Sequence, residues 1–225
     1  FRENTNIDLT FFPISDNFEQ KNFSVKTNNL GLLSENNYYF EKKTNEFRII
    51  FLGESFTGPT TSTYQWVDTV EELFSKNLKI TDKFDVKTYN LGWVGGGFET
   101  FIKEYKTCGQ LLKPDLIIIN YLELDFPRGS GKHIQNTEDQ ILFASQKLKE
   151  LPSDIPLILT VMPDYSEVMD ISKPLSKSEL LKKKTNFEIF DMRDYLPMNL
   201  DKKKRESWFN LPHDAHYSDR GGEIY

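Results

Sequence analysis

Between Phe47 and Asp191, five short apolar runs alternate with amphipathic segments, and few architectures accommodate that alternation. Arg48–Leu52 is apolar after its first residue and ends at Gly53. Leu116–Ile119 is the plainest run, and Phe84–Leu91, Pro156–Met162 and Phe187–Asp191 read the same way. Uninterrupted apolar runs of this length suit strands buried on both faces. Within Tyr64–Lys76, the residues Trp66, Val67, Val70, Leu73 and Phe74 fall on one helical face. Further helices are expected over Phe98–Leu112, closed by Lys113-Pro114, over Asn136–Leu151 and over Ser176–Lys184. Strands alternating with helices imply parallel pairing and right-handed crossovers. The expected class is α/β, a three-layer α/β/α sandwich around a five-stranded parallel, flavodoxin-like sheet. Residues 1–45 are rich in Asn, Phe and Lys and lack a clear period. They are expected to form an irregular arm, with one short hairpin near Phe23–Tyr39, packed on a domain spanning 46–225.

Bulk properties narrow the function. The net charge is −6, so the chain has no global attraction to nucleic acid or to an anionic membrane. The basic run Lys202-Lys203-Lys204-Arg205 reads as a solvated face rather than a phosphate patch. Cys108 is the sole cysteine, which excludes an intrachain disulfide and a cysteine-based zinc site. No run of about 18 apolar residues appears, so no segment is expected to span a membrane. The chain opens on Phe1 without an initiator Met, which leaves room for an upstream signal or anchor.

Ligands of open α/β sheets bind outside the carboxyl ends of the strands, so the residues just after each run matter most. After the first run comes Gly53-Glu54-Ser55. A Ser there can be exposed at a turn with backbone N–H groups around it, although a Ser in this place is more often a helix cap. After the second comes Asn90-Leu91-Gly92-Trp93-Val94-Gly95-Gly96-Gly97, a backbone able to approach a ligand closely or simply a flexible turn. After the third come Glu123 and Asp125. Near the C-terminus lies His213-Asp214-Ala215-His216, followed by Asp219. A His needs an orienting carboxylate to act as a base, and Asp214 is two residues from His216. Two His and two Asp could also ligate a metal, but no further His or Cys cluster completes a ligand set, and no metal or other cofactor is expected. His133 lies in a Gly-rich loop and reads as surface.

Taken together and in this order, these pieces resemble the SGNH (GDSL-type) hydrolase superfamily over Phe47–Tyr225. Gly53-Glu54-Ser55 is similar to its Gly-Asp-Ser block, and Asn90-Leu91-Gly92-x-x-Gly95 to its second block. Asp214-Ala215-His216 is similar to its last block in the Asp-x-His form of bacterial members. The resemblance implies a catalytic Ser55, His216 and Asp214, with Gly95 and Asn90 near the oxyanion. The third block normally reads Gly-x-Asn-Asp, its Asn donating to the oxyanion. Counted from Pro114, that Asn falls on Glu123 and the Asp on Leu124. An ionised Glu accepts hydrogen bonds, and losing one oxyanion donor costs about 10²–10³ in rate. A protonated Glu123, a shifted register, a substitute donor and a weak or inactive site all stay open. Asn120 is a poor substitute because it lies inside the expected strand.

The implied activity is hydrolysis or transfer of an acyl ester. The first expectation for substrate is an acetyl ester on a carbohydrate, small or polysaccharide. The alternatives are a lipase or thioesterase for longer chains, a catalytically weak or inactive module that binds a glycan or protein, and an interaction protein whose arm covers Ser55. The resemblance also favours the cell envelope, the periplasm or the exterior. A monomer or weak dimer is expected. The family continues past the position of Tyr225 into a closing helix.

Overall fold

In a computed structural model, the structure describes residues 3–11, 21–58, 62–129, 132–170, 172, 174–211 and 213–224. Nine strands and eight α-helices follow one another among them. The strands are β1 (Asn6–Phe11), β2 (Lys21–Lys26), β3 (Glu46–Gly53), β4 (Asp85–Gly92), β5 (Leu116–Tyr121), β6 (Arg128–Gly129), β7 (Lys132–His133), β8 (Leu157–Val161) and β9 (Glu188–Asp191). The helices are α1 (Trp66–Ser75), α2 (Leu78–Thr81), α3 (Phe98–Thr107), α4 (Thr137–Leu148), α5 (Tyr165–Met169), α6 (Ser176–Lys184), α7 (Lys202–Glu206) and α8 (Asp219–Ile224).

The five expected runs form one parallel sheet in the order β4-β3-β5-β8-β9. Period-two alternation splits β3, β4 and β5 between two cores. Ile50 and Leu52 of β3 join Phe98, Phe101, Ile141 and Leu181 beneath α3, α4 and α6. Ile49 and Phe51 face the other way, onto Trp66 and Val67 of α1. Fully burying such a side chain stabilises by about 1.5–3 kcal/mol, so burial on both faces holds the sheet between the helices. The chain leaves β3 for β4 on one side and reaches β5 on the other, so a crevice opens beyond the carboxyl end of β3. Ser55 lies two residues past that end.

Helix ends follow local chemistry. Asn136 caps α4 by accepting from Glu138 N and Asp139 N at 2.7 and 3.3 Å. The expected helix over Phe98–Leu112 is α3 followed by a 3₁₀ turn at Gly109–Leu112, which Lys113 ends in the left-handed region at φ 51°.

The arm differs from expectation. The hairpin is β1 against β2, with Ile7 opposite Val25 and Leu9 opposite Phe23. Its connecting residues, 12–20, lie outside the described residues. Phe23 and Val25 alternate with exposed neighbours in β2, and Ile7 and Leu9 alternate in β1, a short period-two signal hidden in a polar composition. Residues 27–39 instead form loops with one bridge, Thr27 to Leu33. Tyr38 anchors the arm: its ring lies 4.5 Å from that of Tyr89, and its hydroxyl accepts from Asn90 N at 3.1 Å. Among the described residues, no helix is long and apolar enough to cross a membrane.

Candidate active site

Ser55 sits on a tight turn straight after β3. Gly53 permits that turn, because a Cβ there would lie 2.1 Å from Thr57 Oγ1 and 2.6 Å from Asn120 O. The turn is fastened from outside. Trp66 Nε1 donates to Phe56 O at 2.9 Å, and Asn90 Nδ2 donates to Thr57 O at 2.8 Å. Asn90 Oδ1 in turn accepts from Gly92 N at 2.9 Å. Asn90 therefore braces the turn that carries Ser55 from a buried position, and it does not border the cavity that Ser55 lines.

His216 and Asp214 reach the site on a loop that folds back on itself. Asn210 N donates to His216 O at 2.9 Å, and Asn210 Nδ2 donates to Tyr217 O at 2.8 Å. Asp214 Oδ1 accepts from both His216 N and His216 Nδ1, so one carboxylate fixes the loop and the ring. Phe56 backs the imidazole with ring centroids 5.0 Å apart, and Tyr217 packs edge-on against Phe56 at 4.5 Å. The Tyr217 hydroxyl donates to Pro163 O at 2.6 Å. His216 Nε2 then lies 2.6 Å from Ser55 Oγ.

Burial works against the His216 imidazolium, but the hydrogen bond and charge of Asp214, joined by the charge of Glu54, outweigh it and raise its pKa. Burial likewise opposes the Asp214 carboxylate, and His216 more than offsets that, so its pKa is lowered. Glu54 is 3% exposed and adds a second acceptor: Ser55 Oγ donates to Glu54 Oε2, while Glu54 Oε1 accepts from Phe56 N at 2.8 Å. The hydroxyl has one proton. With His216 doubly protonated, Nε2 donates to Oγ and Oγ donates to Glu54. With His216 neutral, Oγ can donate to Nε2, the arrangement needed for attack.

Ser55, His216 and Asp214 border a cavity of about 470 Å³ with Gly95, Phe56 and Arg128. Gly95 has φ 73°, a conformation that favours glycine. A larger cavity, about 860 Å³, lies by the start of β3 around Arg48, Tyr38 and Tyr89 and includes neither Ser nor His. Among the described residues, no three His, Cys, Asp or Glu side chains gather as a metal group. His213 is half-buried outside the cavity, and Asp219 accepts from Ser62 Oγ and Thr63 N, both at 2.7 Å. Pro212 and the side chain of His133 lie outside the described residues.

Glu123 is not where spacing from Pro114 puts it. Its carboxylate turns to the start of α6, accepting from Lys177 N at 3.1 Å, from Ser178 N at 2.8 Å and from Ser178 Oγ. The resemblance in the third block is kept better by a shift of one residue. Asp125, fully buried, accepts from Leu122 N at 2.8 Å and matches the block's Asp in residue type. Leu124 thereby falls where the block has its Asn, and it borders the cavity without a polar atom to donate. Retaining the Asp when aligning Leu122-Glu123-Leu124-Asp125 would have revealed this. Arg128 and Phe56 carried no such signal. Asn120 is buried in β5, where Oδ1 accepts from Thr160 Oγ1.

No protein-family model matches the sequence, and no curated protein matches it significantly. Solved structures do match. A two-domain esterase active on acetylated mannans superposes with a TM-score of 0.55 at 16% identity, over 80% of this chain and 46% of that one. The chain thus spans less than half of that esterase. The lipase/acylhydrolase of Enterococcus faecalis gives 0.56 at 17% identity, over 79% of this chain and 90% of that one. An acetyl xylan esterase gives 0.57 at 16% identity, over 78% and 94%. The parallel sheet, its strand order and these superpositions give the chain the fold of the SGNH (GDSL-type) hydrolase superfamily.

Proposed function

We propose that the chain is a serine esterase in which Ser55 is the nucleophile, His216 the general base and Asp214 its orienting carboxylate. The single observation that carries this reading is the 2.6 Å separation of Ser55 Oγ and His216 Nε2, with Asp214 on the opposite ring nitrogen. As Oγ bonds to the ester carbonyl carbon, its proton passes to Nε2 and the carbonyl pair moves onto oxygen. Collapse of that intermediate breaks the bond to the alcohol oxygen, which takes the proton from His216. Water, or a sugar hydroxyl in a transferase, then repeats the sequence on the acyl-enzyme. The N–H groups of Ser55 and Gly95 are the proposed oxyanion donors. Neither serves as donor in any hydrogen bond among the described residues.

The first substrate reading is an acetyl ester on a carbohydrate. It is supported by structural neighbours named for acetylated mannan and acetyl xylan. A second reading, esters of longer acyl chains, is favoured by the apolar wall of Phe56, Val94, Leu122 and Leu124. The inactive-module reading rested on Glu123 facing the oxyanion, and that carboxylate caps α6 instead. No described residue of 1–45 borders the cavity.

The test is hydrolysis of p-nitrophenyl esters from acetate to laurate, alongside acetate release from acetylated xylan and mannan. The wild-type chain is expected to turn over, and Ser55→Ala to lose at least about 10³-fold. Acetate preferred over laurate supports the first substrate reading, and the reverse supports the second. Equal rates for wild type and Ser55→Ala would refute the esterase.

A further inference from the structure

Leu124 has no polar atom to supply the donor that an amide would provide, and Arg128 borders the same cavity. It is the only Arg or Lys among the described residues that border the cavity. Its Nη1 donates to Asp125 Oδ1 at 2.8 Å and to Gly96 O at 3.2 Å. Those two bonds tie the guanidinium to the shifted third block and to the residue after Gly95. The backbones lie close as well, since a Cβ on Gly97 would lie 2.7 Å from Arg128 O. A guanidinium carries five N–H donors, and Nη1 supplies two of them. Nε and Nη2 meet no acceptor among the described residues, and the side chain is 37% exposed. The charge also reaches His216, where it opposes a small part of the rise in pKa that Asp214 causes.

We propose that Arg128 takes over from the missing amide as the third oxyanion donor, an inference that rests on Ser55 being the nucleophile. As the Ser55 Oγ–carbon bond forms, the carbonyl π pair becomes an oxyanion and the serine proton goes to His216. Arg128 donates an N–H to that oxyanion and keeps its own proton. When the pair returns, the bond to the alcohol oxygen breaks and His216 protonates the leaving group. Arg128 contributes only where charge develops, so its effect belongs in kcat. Asp125 and Gly96 hold the fork before substrate arrives, which removes most of the cost of ordering it.

The experiment compares wild type, Arg128→Met and Arg128→Lys on the neutral ester p-nitrophenyl acetate. The expected result for Arg128→Met is a kcat lower by about 10²–10³ with little change in KM. Two rescues are expected. Adding Leu124→Asn to Arg128→Met restores at least about tenfold by replacing the absent amide, and millimolar guanidinium raises the rate of Arg128→Met but not of wild type. Arg128→Lys keeps a cation against Asp125 and guards against loss of fold, checked by thermal melting. It should melt near wild type yet stay slow, because an ammonium cannot bond Asp125, Gly96 and the oxyanion in the geometry of the fork. A folded Arg128 variant with wild-type kcat overturns the proposal while leaving the esterase intact. So does a loss confined to KM, which would mark Arg128 as a grip on the substrate. A slow variant rescued by neither Leu124→Asn nor guanidinium also overturns it. A wild-type chain that turns over no ester overturns both readings.

Discussion

Glu123 shows how much hangs on a shift of one residue. Spacing from Pro114 puts a carboxylate where the oxyanion needs a donor, and a 3₁₀ turn over Glu123–Asp125 turns that side chain to α6 instead. Replacing Glu123 with Ala should therefore cost stability and not rate. Losing a helix-terminus acceptor costs about 0.5–2 kcal/mol, measurable by urea unfolding, while kcat on p-nitrophenyl acetate should stay within about twofold of wild type. A hundredfold fall in kcat with the fold retained would return Glu123 to the site. The residues legible in the sequence were those with a chemical signature: Ser55 after a Gly turn, and His216 two residues from Asp214. Arg128 was not legible, because its position depends on how the turn after β5 brings it beside Gly96, and no local pattern encodes that approach.

Elements with continuous apolar runs were legible nearly to their ends, because burial on both faces leaves a strong signal. β5 outruns its apolar stretch by two residues, Asn120 and Tyr121, since pairing with β8 continues through them. The arm was legible only as an arm. Its β1–β2 alternation is short, and its attachment to the domain depends on single side chains that lie far apart in sequence. Tyr38 is the clearest, 3% exposed and packed with Tyr89, with Asn90 N on its hydroxyl. Tyr38→Ala should destabilise the protein by about 3–5 kcal/mol, the range for emptying a large aromatic from a core. Differential scanning calorimetry checks the loss. An unchanged melting temperature would mean that the arm is not part of the cooperative unit.

At the scale of the whole molecule, the sheet order opens one crevice, and the turn after β3 meets the C-terminal loop there, 161 residues apart in sequence. That meeting couples protonation to both activity and stability. In its proposed role as general base His216 must be neutral, and its pKa is raised above 6.5. The kcat/KM for a neutral ester should therefore rise with pH through a midpoint above 6.5. Asp214→Asn should move that midpoint down and lower the rate by about 10³–10⁴. Stability runs the other way. A folded pKa above the unfolded one means that His216 stabilises the fold at pH values below its unfolded pKa, and the contribution is lost as pH rises through the folded value. A midpoint at or below 6.5 in wild type would show that Asp214 and Glu54 do not favour the imidazolium. The most direct test of the central claim is covalent labelling by a fluorophosphonate, with the modified residue located by peptide mass. The wild-type chain should label at Ser55 alone, and Ser55→Ala and His216→Ala should not label. Labelling at another residue, or none in a folded wild-type chain, would contradict Ser55 as an activated nucleophile.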